Sequence, residues 1–253
     1  MSTKTQKSWP PAEILQCGRN FRKRIGLDLH GTVLDFDGPF GKFLGELYPG
    51  ASMNPNRNNY HAAGDPESKI GYIEFERALN KFIHLTKGGY GSLPAIPGAI
   101  EQLKRIRAAG IEIEVMTYVP GASDHQHTDA LPHNTGAARL ATKNLLKQLG
   151  FPIDESDITF VSTHGKSWHM LDQGVKIPLI VEDRLATACD VAEKGLGAIL
   201  YPTAYNKSSG IPGIIRVEPQ AKPEDTWKVV ADNIIAFFDA LEANGQIVGT
   251  GGK

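Results

Sequence analysis

Cysteine is scarce in this sequence. Only Cys17 and Cys189 occur among 253 residues, and no CxxC pair or Cys/His spacing accompanies them. The sequence therefore indicates neither a disulfide framework nor a structural zinc site. Few thiols and the lack of a disulfide pattern are typical of proteins in a reducing compartment. We therefore expect a cytoplasmic location.

Long apolar runs and an excess of one charge are also missing. No apolar run approaches the ~20 residues of a membrane span, and residues 1–7 are polar, unlike a signal peptide. Lys and Arg number 27 and Asp and Glu 28, which gives a net charge of −1. The chain therefore has no overall electrostatic field that would attract nucleic acid or an anionic membrane, although a local charged patch could still do so. We therefore expect no membrane partner, and a nucleic-acid partner is disfavoured.

The sequence does contain a regular alternation of helices and short apolar strands, which begins near Pro97. We predict helices at 99–109, 137–149, 186–194 and 224–243, and strands at 111–116, 158–161, 179–181 and 198–201. This alternation is typical of right-handed βαβ units whose parallel sheet is covered on both faces. The predicted fold class is therefore α/β, with a doubly wound parallel sheet.

A segment of different character follows the first strand. Residues 37–93 combine a polar stretch at 54–61 with an amphipathic helix near 73–83. Its apolar stripe starts at Ile73, and the GGYG segment at 88–91 ends the helix. We interpret 37–93 as a small, mostly helical insertion, and 21–36 together with 94–245 as the core domain. Residues 1–20 and the glycine-rich residues 246–253 are expected to be flexible.

The predicted strands end in reactive or charged side chains. In chain order they carry an acid, a hydroxyl, an amine and an acidic pair: Asp28, Thr117, Lys166 and Glu182-Asp183. Because the carboxyl ends of parallel strands meet at one edge of the sheet, where open α/β proteins bind ligands, these side chains are candidates for one site. Separately, each has an ordinary explanation as a loop cap or a solvated charge. Their joint occurrence favours a functional site.

These residues resemble the four ordered motifs of the haloacid dehalogenase-like (HAD) superfamily, most of whose members are phosphatases. DLHGTV at 28–33 matches the first motif, and Thr117, Lys166 and Glu182-Asp183 match the others. The insertion lies where that superfamily carries its cap, and LPAIPGA at 93–99 resembles the 5'-deoxyribonucleotidase branch. The resemblance covers residues 24–205 and implies a Rossmann-like core with a helical cap.

The resemblance implies a phosphomonoester hydrolase that forms an aspartyl-phosphate on Asp28. Its catalytic residues would be Asp28, His30, Thr117 and Lys166. Mg²⁺ would be held by Asp28, the main-chain carbonyl of His30 and Asp183, since a cation must offset the charge between a carboxylate and a phosphate. Glu182 would orient Lys166 or a metal-bound water.

One position departs from the family pattern. The phosphatases carry Asp two residues after the nucleophile, as general acid and base, whereas this sequence has His30. An imidazole can replace that carboxyl group, or it can merely pack. A cation beside it would lower its pKa and so leave less of the protonated ring to act as the acid. Two alternatives therefore stay open: a haloacid dehalogenase or phosphonatase-type hydrolase on the same scaffold, and a non-catalytic protein that binds phosphate and metal.

The expected substrate is a small phosphorylated metabolite, and a nucleoside 5'-monophosphate is the favoured candidate. Candidate substrate contacts are Thr32, Tyr118, Arg57, Tyr60 and His61. The sequence leaves open whether the chain forms a homo-oligomer.

Other side chains have simpler explanations. Three histidines follow Thr117 in a polar loop: His125, His127 and His133. We interpret them as substrate contacts, with a metal site as the alternative. The aromatic residues of the insertion helix are interpreted as its core: Tyr72, Phe75 and Phe82. The apolar stripe of the last helix, which starts at Trp227, is interpreted as packing against the sheet.

Overall fold

The computed structural model describes residue 14 and residues 19–54, 57–58, 62–85, 88–118, 135–161, 165–172, 176–207 and 211–248. Its strands are β1 (Arg24–Leu27), β2 (Glu112–Thr117), β3 (Ile158–Phe160), β4 (Leu179–Glu182), β5 (Gly197–Leu200) and β6 (Ile214–Arg216). Its helices are α1 (Asp37–Leu47), α2 (Tyr72–His84), α3 (Ala99–Ala108), α4 (Thr135–Gln148), α5 (Lys166–Leu171), α6 (Leu185–Glu193) and α7 (Pro223–Ala243).

The described strands form one parallel sheet in the order β3-β2-β1-β4-β5-β6. β1 pairs with β2 on one side, where Leu27 lies opposite Val115, and with β4 on the other, where Leu27 lies opposite Val181. From β1 the chain first adds β2 and β3 on one side of the sheet, and it then crosses to the other side to add β4, β5 and β6. This reversal is the topological switch point at which open α/β sheets bind ligands. The predicted fold class is confirmed.

The helices cover this sheet in packed pairs, α3 against α7 and α5 against α6. The apolar stripe of α7 packs into the core as predicted, from Trp227 to Leu241, although Ile235 is only half-buried. Phe237, outside that stripe, is buried as well. Trp227 Nε1 also donates a hydrogen bond to the main-chain oxygen of Thr32 at 3.1 Å. The last helix therefore supports the turn that follows β1.

The insertion has its own aromatic core, in which α1 packs against α2. The Phe40 ring lies 5.2 Å from that of Phe75 and 5.3 Å from that of Phe82. Two expectations are wrong: Tyr72 is 60% exposed and Ile73 is 64% exposed. Both lie in the first turn of α2, N-terminal to the buried stripe, so the helical spacing alone assigned them to the wrong environment.

The ends of the described chain are joined to each other. The Phe21 amide donates to the Gln246 carbonyl at 2.8 Å, and Gln246 Nε2 donates to the Ile14 carbonyl at 3.0 Å. Ile14 and Gln246, which were expected to belong to flexible ends, are buried. The core therefore extends past residue 245. None of the described helices combines the length and the apolarity that crossing a membrane would require.

Candidate active site

Asp28 is placed at the centre of the carboxyl edge by the two strand pairings of β1. Its amide donates to the Val181 carbonyl at 3.0 Å, and the residue is only 6% exposed. The chain then turns sharply, because the amides of Val33 and Leu34 both donate to the Leu29 carbonyl at 2.8 Å. The carboxylate of Asp28 is thereby fixed at the switch point.

Gly31 allows this turn to approach the end of β4. Its φ of +76° is strained for other residues, and a Cβ at this position would lie 2.2 Å from Asp183 Oδ2. The same Cβ would lie 3.0 Å from the Tyr205 hydroxyl. The glycine therefore leaves room for oxygen atoms that face the turn.

Lys166 joins two of the predicted acids. It is the first residue of α5, and its Nζ lies 2.5 Å from Asp28 Oδ1 and 2.8 Å from Glu182 Oε2. The lysine side chain is 3% exposed. Glu182 Oε1 in turn accepts from the amides of Asp183 at 3.2 Å and Arg184 at 3.1 Å. Glu182 is thus held by the main chain in contact with Lys166.

The cluster contains more acidic than basic groups. Asp28, Glu182 and Asp183 are all buried, and one carboxylate oxygen from each lies within 4.8 Å of the others. Burial raises the pKa of Asp28 to about 7, against the effect of Lys166, and burial with the neighbouring acids raises the pKa of Asp183. The acids raise the pKa of Lys166 even though burial opposes this. The cluster therefore holds three carboxyl groups and one ammonium, which contacts two of them.

This donor set fits a hard divalent cation. Oxygen ligands are those that Mg²⁺ prefers, and an added cation would relieve the repulsion that raises the acid pKa values. Asp28, Glu182 and Asp183 are the carboxyl groups that could hold it, and the resemblance implies Asp28, Asp183 and the main-chain oxygen of His30 as its ligands. Glu182 belongs to the same cluster but already contacts Lys166.

His30 lies in a largely apolar environment. Its ring centroid is 5.1 Å from that of Tyr90 and 5.8 Å from that of Phe36. Burial, with a smaller contribution from the charge of Lys166, lowers the pKa of His30 to about 4. Its Nε2 is buried and has no hydrogen-bond partner among the described residues. The structure thus favours a neutral ring, which is a weaker proton donor than the imidazolium considered from the sequence.

The predicted hydroxyl residues lie near the same edge of the sheet. Thr117 ends β2, is fully buried, and donates through Oγ1 to the Tyr118 carbonyl at 3.4 Å. Thr32 is also fully buried, and its Oγ1 has no partner within the described part of the chain. Tyr118 follows Thr117 directly and is half-buried. Both threonine hydroxyls are therefore candidates to bind phosphoryl oxygens.

The predicted substrate contacts of the insertion are only partly described. Arg57 is 3% exposed, pairs with Asp37 Oδ2 at 2.6 Å, and lies over the Tyr205 ring at 4.7 Å. Tyr60 and His61 lie outside the described residues, as do the histidines of the loop after Thr117: His125, His127 and His133.

Two residues of the site were missed from the sequence. Tyr205 donates its hydroxyl to Asp183 Oδ2. Asn206 is fully buried, and its Nδ2 donates to the carbonyls of Asp183 at 2.7 Å and Tyr201 at 2.6 Å. Both lie in a polar loop after β5 that matches no motif, so no local signal distinguishes them from solvated loop residues.

The short helix that carries Lys166 is anchored by polar contacts on both sides. Ser167 Oγ bonds to Asp190 of α6. His169 Nε2 lies 2.5 Å from Glu114 Oε1 of β2. A helix of six residues has little stability of its own, so these contacts help to hold Lys166 in place.

The His169–Glu114 contact predicts a pH dependence of stability. The hydrogen bond with Glu114 raises the pKa of His169. For Glu114, burial is outweighed by bonds from His169, Thr159 and Arg24, so its pKa falls to about 2. Because the folded pKa of His169 is raised, its contribution is fully present below about pH 6.5 and is lost as the pH rises through the folded value.

We expect His169→Asn to destabilise the fold by about 1 kcal/mol at about pH 5.5 and by less at about pH 9. Urea unfolding of wild type and variant at both pH values measures this difference. His84→Asn, on the exposed end of α2, is the control and should show no such difference. An equal loss of stability at both pH values would mean that His169 contributes only by packing.

Comparisons with known proteins agree with this architecture. No protein-family model matches the chain, and no match was found among curated protein sequences. A solved structure of a HAD family hydrolase from Deinococcus radiodurans R1, with bound phosphate and sodium, is similar at a TM-score of 0.51 and 15% identity. The alignment covers 85% of this chain and 97% of that one.

Two further solved structures show lower similarity. A haloacid dehalogenase-like family hydrolase from Xanthomonas campestris has a TM-score of 0.49 and 14% identity, over 89% of this chain and 96% of that one. A HAD hydrolase of family IA, variant 3, from Entamoeba histolytica has a TM-score of 0.49 and 12% identity, over 85% and 99%. At such identities the likeness concerns the fold, and the fold assignment rests on the Deinococcus structure.

Proposed function

We propose that this chain, which has the fold of the HAD-type hydrolases, is a Mg²⁺-dependent phosphomonoester hydrolase that acts through an aspartyl-phosphate on Asp28. The observation that carries the proposal is the contact of Lys166 with both Asp28 and Glu182 inside a buried acidic cluster. A carboxylate beside a fixed ammonium, at the switch point of a parallel sheet, suits attack on an anionic phosphoryl group. The Deinococcus structure, with bound phosphate, is consistent with this use of the fold.

Each residue contributes a distinct part of the proposed reaction. Asp28 attacks phosphorus and the ester oxygen leaves, after which water attacks phosphorus and releases inorganic phosphate and the free carboxylate. Lys166 stabilises the charge that develops on the phosphoryl oxygens, and the hydroxyls of Thr32 and Thr117 bind them. Asp28, the His30 carbonyl and Asp183 would hold Mg²⁺, which supplies charge neutralisation between carboxylate and phosphate.

The proposed substrate is a small phosphorylated metabolite, and a nucleoside 5'-monophosphate is the favoured candidate. The test is phosphate release from a panel of phosphorylated metabolites, measured with Mg²⁺ and with a chelator. We expect release from at least one of them with Mg²⁺ and its loss with chelator. A protein that binds phosphate and Mg²⁺ but does not hydrolyse even an aryl phosphate would instead be a non-catalytic binding protein.

A second candidate is a haloacid dehalogenase or phosphonatase-type hydrolase. The His30 ring favours it, because its lowered pKa leaves almost no imidazolium at neutral pH to act as the acid, whereas a departing halide needs no proton. Halide release from a 2-haloacid that persists in the presence of chelator would identify dehalogenation. The excess of buried carboxyl groups, which suits a cation, favours the phosphatase.

The two acids at the end of β4 should differ in their effect on the metal requirement. We expect Asp183→Ala to raise the Mg²⁺ concentration needed for half-maximal activity by about 100-fold and to leave a residual rate. Glu182→Ala should raise it by about tenfold or less, because Glu182 contacts Lys166 directly. Titration of activity with Mg²⁺ measures both values. If Glu182→Ala has the larger effect, the two roles are reversed.

The role of His30 can be tested by changing the leaving group. We expect His30→Asp, which introduces the phosphatase residue, to raise hydrolysis of alkyl phosphates more than that of aryl phosphates. An alkoxide needs a proton in order to leave, whereas a phenolate needs less help. His30→Asn is the control that supplies no acid. An equal loss with both substrates in both variants would show that His30 only packs.

A further inference from the structure

The loop after β5 contacts a proposed metal ligand and the insertion at the same time. The Tyr205 hydroxyl donates to Asp183 Oδ2, and the guanidinium of Arg57 lies over the ring of the same tyrosine at 4.7 Å. Arg57 is 3% exposed and pairs with Asp37 at the start of α1 at 2.6 Å. A buried arginine rarely occurs without a charged partner, and its planar guanidinium can in addition stack on an aromatic ring.

Separate groups fix the main chain and the carboxylate of Asp183. Asn206 Nδ2 donates to the Asp183 carbonyl at 2.7 Å and so fixes the backbone. Tyr205 donates to one oxygen of the carboxylate, which restricts rotation of the side chain. An ionised carboxylate can accept about four hydrogen bonds or ligand contacts, so donation to one oxygen leaves capacity for a cation.

The position of Tyr205 depends in turn on the insertion. A Cβ added at Gly31 would lie only 3.0 Å from the Tyr205 hydroxyl. The tyrosine therefore fits closely against the turn that follows β1. The face of the Tyr205 ring contacts the guanidinium of Arg57, whose positive charge is attracted to the π electrons of the ring. The tyrosine is therefore held between the insertion and the core.

We propose that Tyr205 and Arg57 are positioning residues that orient the Asp183 carboxylate for a divalent cation, so that contact between the insertion and the core sets the affinity for that cation. This inference rests on the proposed metal role of Asp183. Groups that orient a ligand without touching the metal typically change metal affinity 10- to 100-fold when they are removed.

The test measures Mg²⁺ binding by calorimetry, in the absence of substrate. We expect Tyr205→Phe, which keeps the ring but loses the hydroxyl, to weaken Mg²⁺ binding about tenfold. Arg57→Gln should weaken it about threefold. The double variant should bind no more weakly than Tyr205→Phe alone, because Arg57 acts through the hydroxyl of Tyr205.

Two further variants keep the test decisive. Tyr201→Phe is the matched control, because the Tyr201 ring packs against Trp227 at 5.7 Å, and it should bind Mg²⁺ as wild type does. If Arg57→Gln does not fold, as judged by its thermal melting, Arg57→Lys replaces it in the test. This variant keeps a charge beside Asp37 but loses the planar guanidinium that lies over the Tyr205 ring, and it should weaken Mg²⁺ binding by up to threefold.

Three outcomes would overturn the inference in different ways. Wild-type affinity in Tyr205→Phe would remove Tyr205 from the positioning of Asp183. A double variant whose loss is the product of the two single losses would show that Arg57 does not act through Tyr205. A wild-type protein that binds no Mg²⁺ would instead contradict the proposed metal role itself, and the inference would fall with it.

Discussion

Replacement of Asp28 by Asn should lower the turnover of phosphate monoesters by about 10⁴-fold or more. An amide is too weak a nucleophile to form the covalent intermediate, and every later step depends on that intermediate. The fold should persist, since Asn has the same shape and Lys166 keeps its contact with Glu182 at 2.8 Å. Steady-state kinetics with the best substrate of the metabolite panel, together with thermal melting, measure both effects.

A neighbouring carboxylate provides the control for this substitution. Asp35 Oδ1 accepts from the Gly38 amide at 3.0 Å near the start of α1, and an asparagine at that position can accept the same bond. Asp35→Asn should therefore keep nearly full activity. An Asp28→Asn variant that retains more than about a tenth of wild-type turnover would exclude Asp28 as the nucleophile.

The second large effect is expected for Lys166→Met, on both stability and activity. Lys166 is the ammonium that both Asp28 and Glu182 contact, and its side chain is 3% exposed. Its loss leaves buried carboxylates without their counter-charge, which typically costs about 3–5 kcal/mol. Turnover should also fall by about 10²- to 10³-fold, because a charge that stabilises the transition state is removed.

Urea unfolding without added metal measures the change in stability. Lys143→Met is the matched control, because Lys143 pairs with Glu155 at 3.5 Å on the surface and should contribute less than about 0.5 kcal/mol. A Lys166→Met variant as stable as wild type would mean that the acids are neutral in the folded protein. In that case Lys166 would not be needed to balance their charge.

The sequence by itself determined the architecture and the main residues of the candidate site. Apolar runs of strand length alternate with helices, and this local periodicity is enough to predict a parallel sheet. Parallel strands present their carboxyl ends at one edge, so Asp28, Thr117 and Lys166 could be assigned to that edge before any distance was known. Their placement followed from local pattern and topology together.

Helical spacing was less reliable in the insertion. It correctly assigned Phe75 and Phe82 to a core but also assigned Tyr72 and Ile73 to it, although both are exposed. Spacing shows which residues share a face of a helix, but not how far along the helix its partner extends. The strand β6 was not predicted either, because three half-buried residues at the edge of the sheet carry little periodicity.

Only the tertiary structure decided which distant segments meet at the site. Tyr205 and Asn206 lie in a loop without a motif, and Arg57 was predicted only as a candidate substrate contact. In the structure Tyr205 and Asn206 bond to Asp183, and Arg57 lies over the Tyr205 ring. The His30 ring, whose pKa is lowered by burial, likewise lies against the ring of Tyr90, about sixty residues further along the chain. Such contacts depend on how separate elements pack against one another, and that packing leaves no periodic signal in the local sequence.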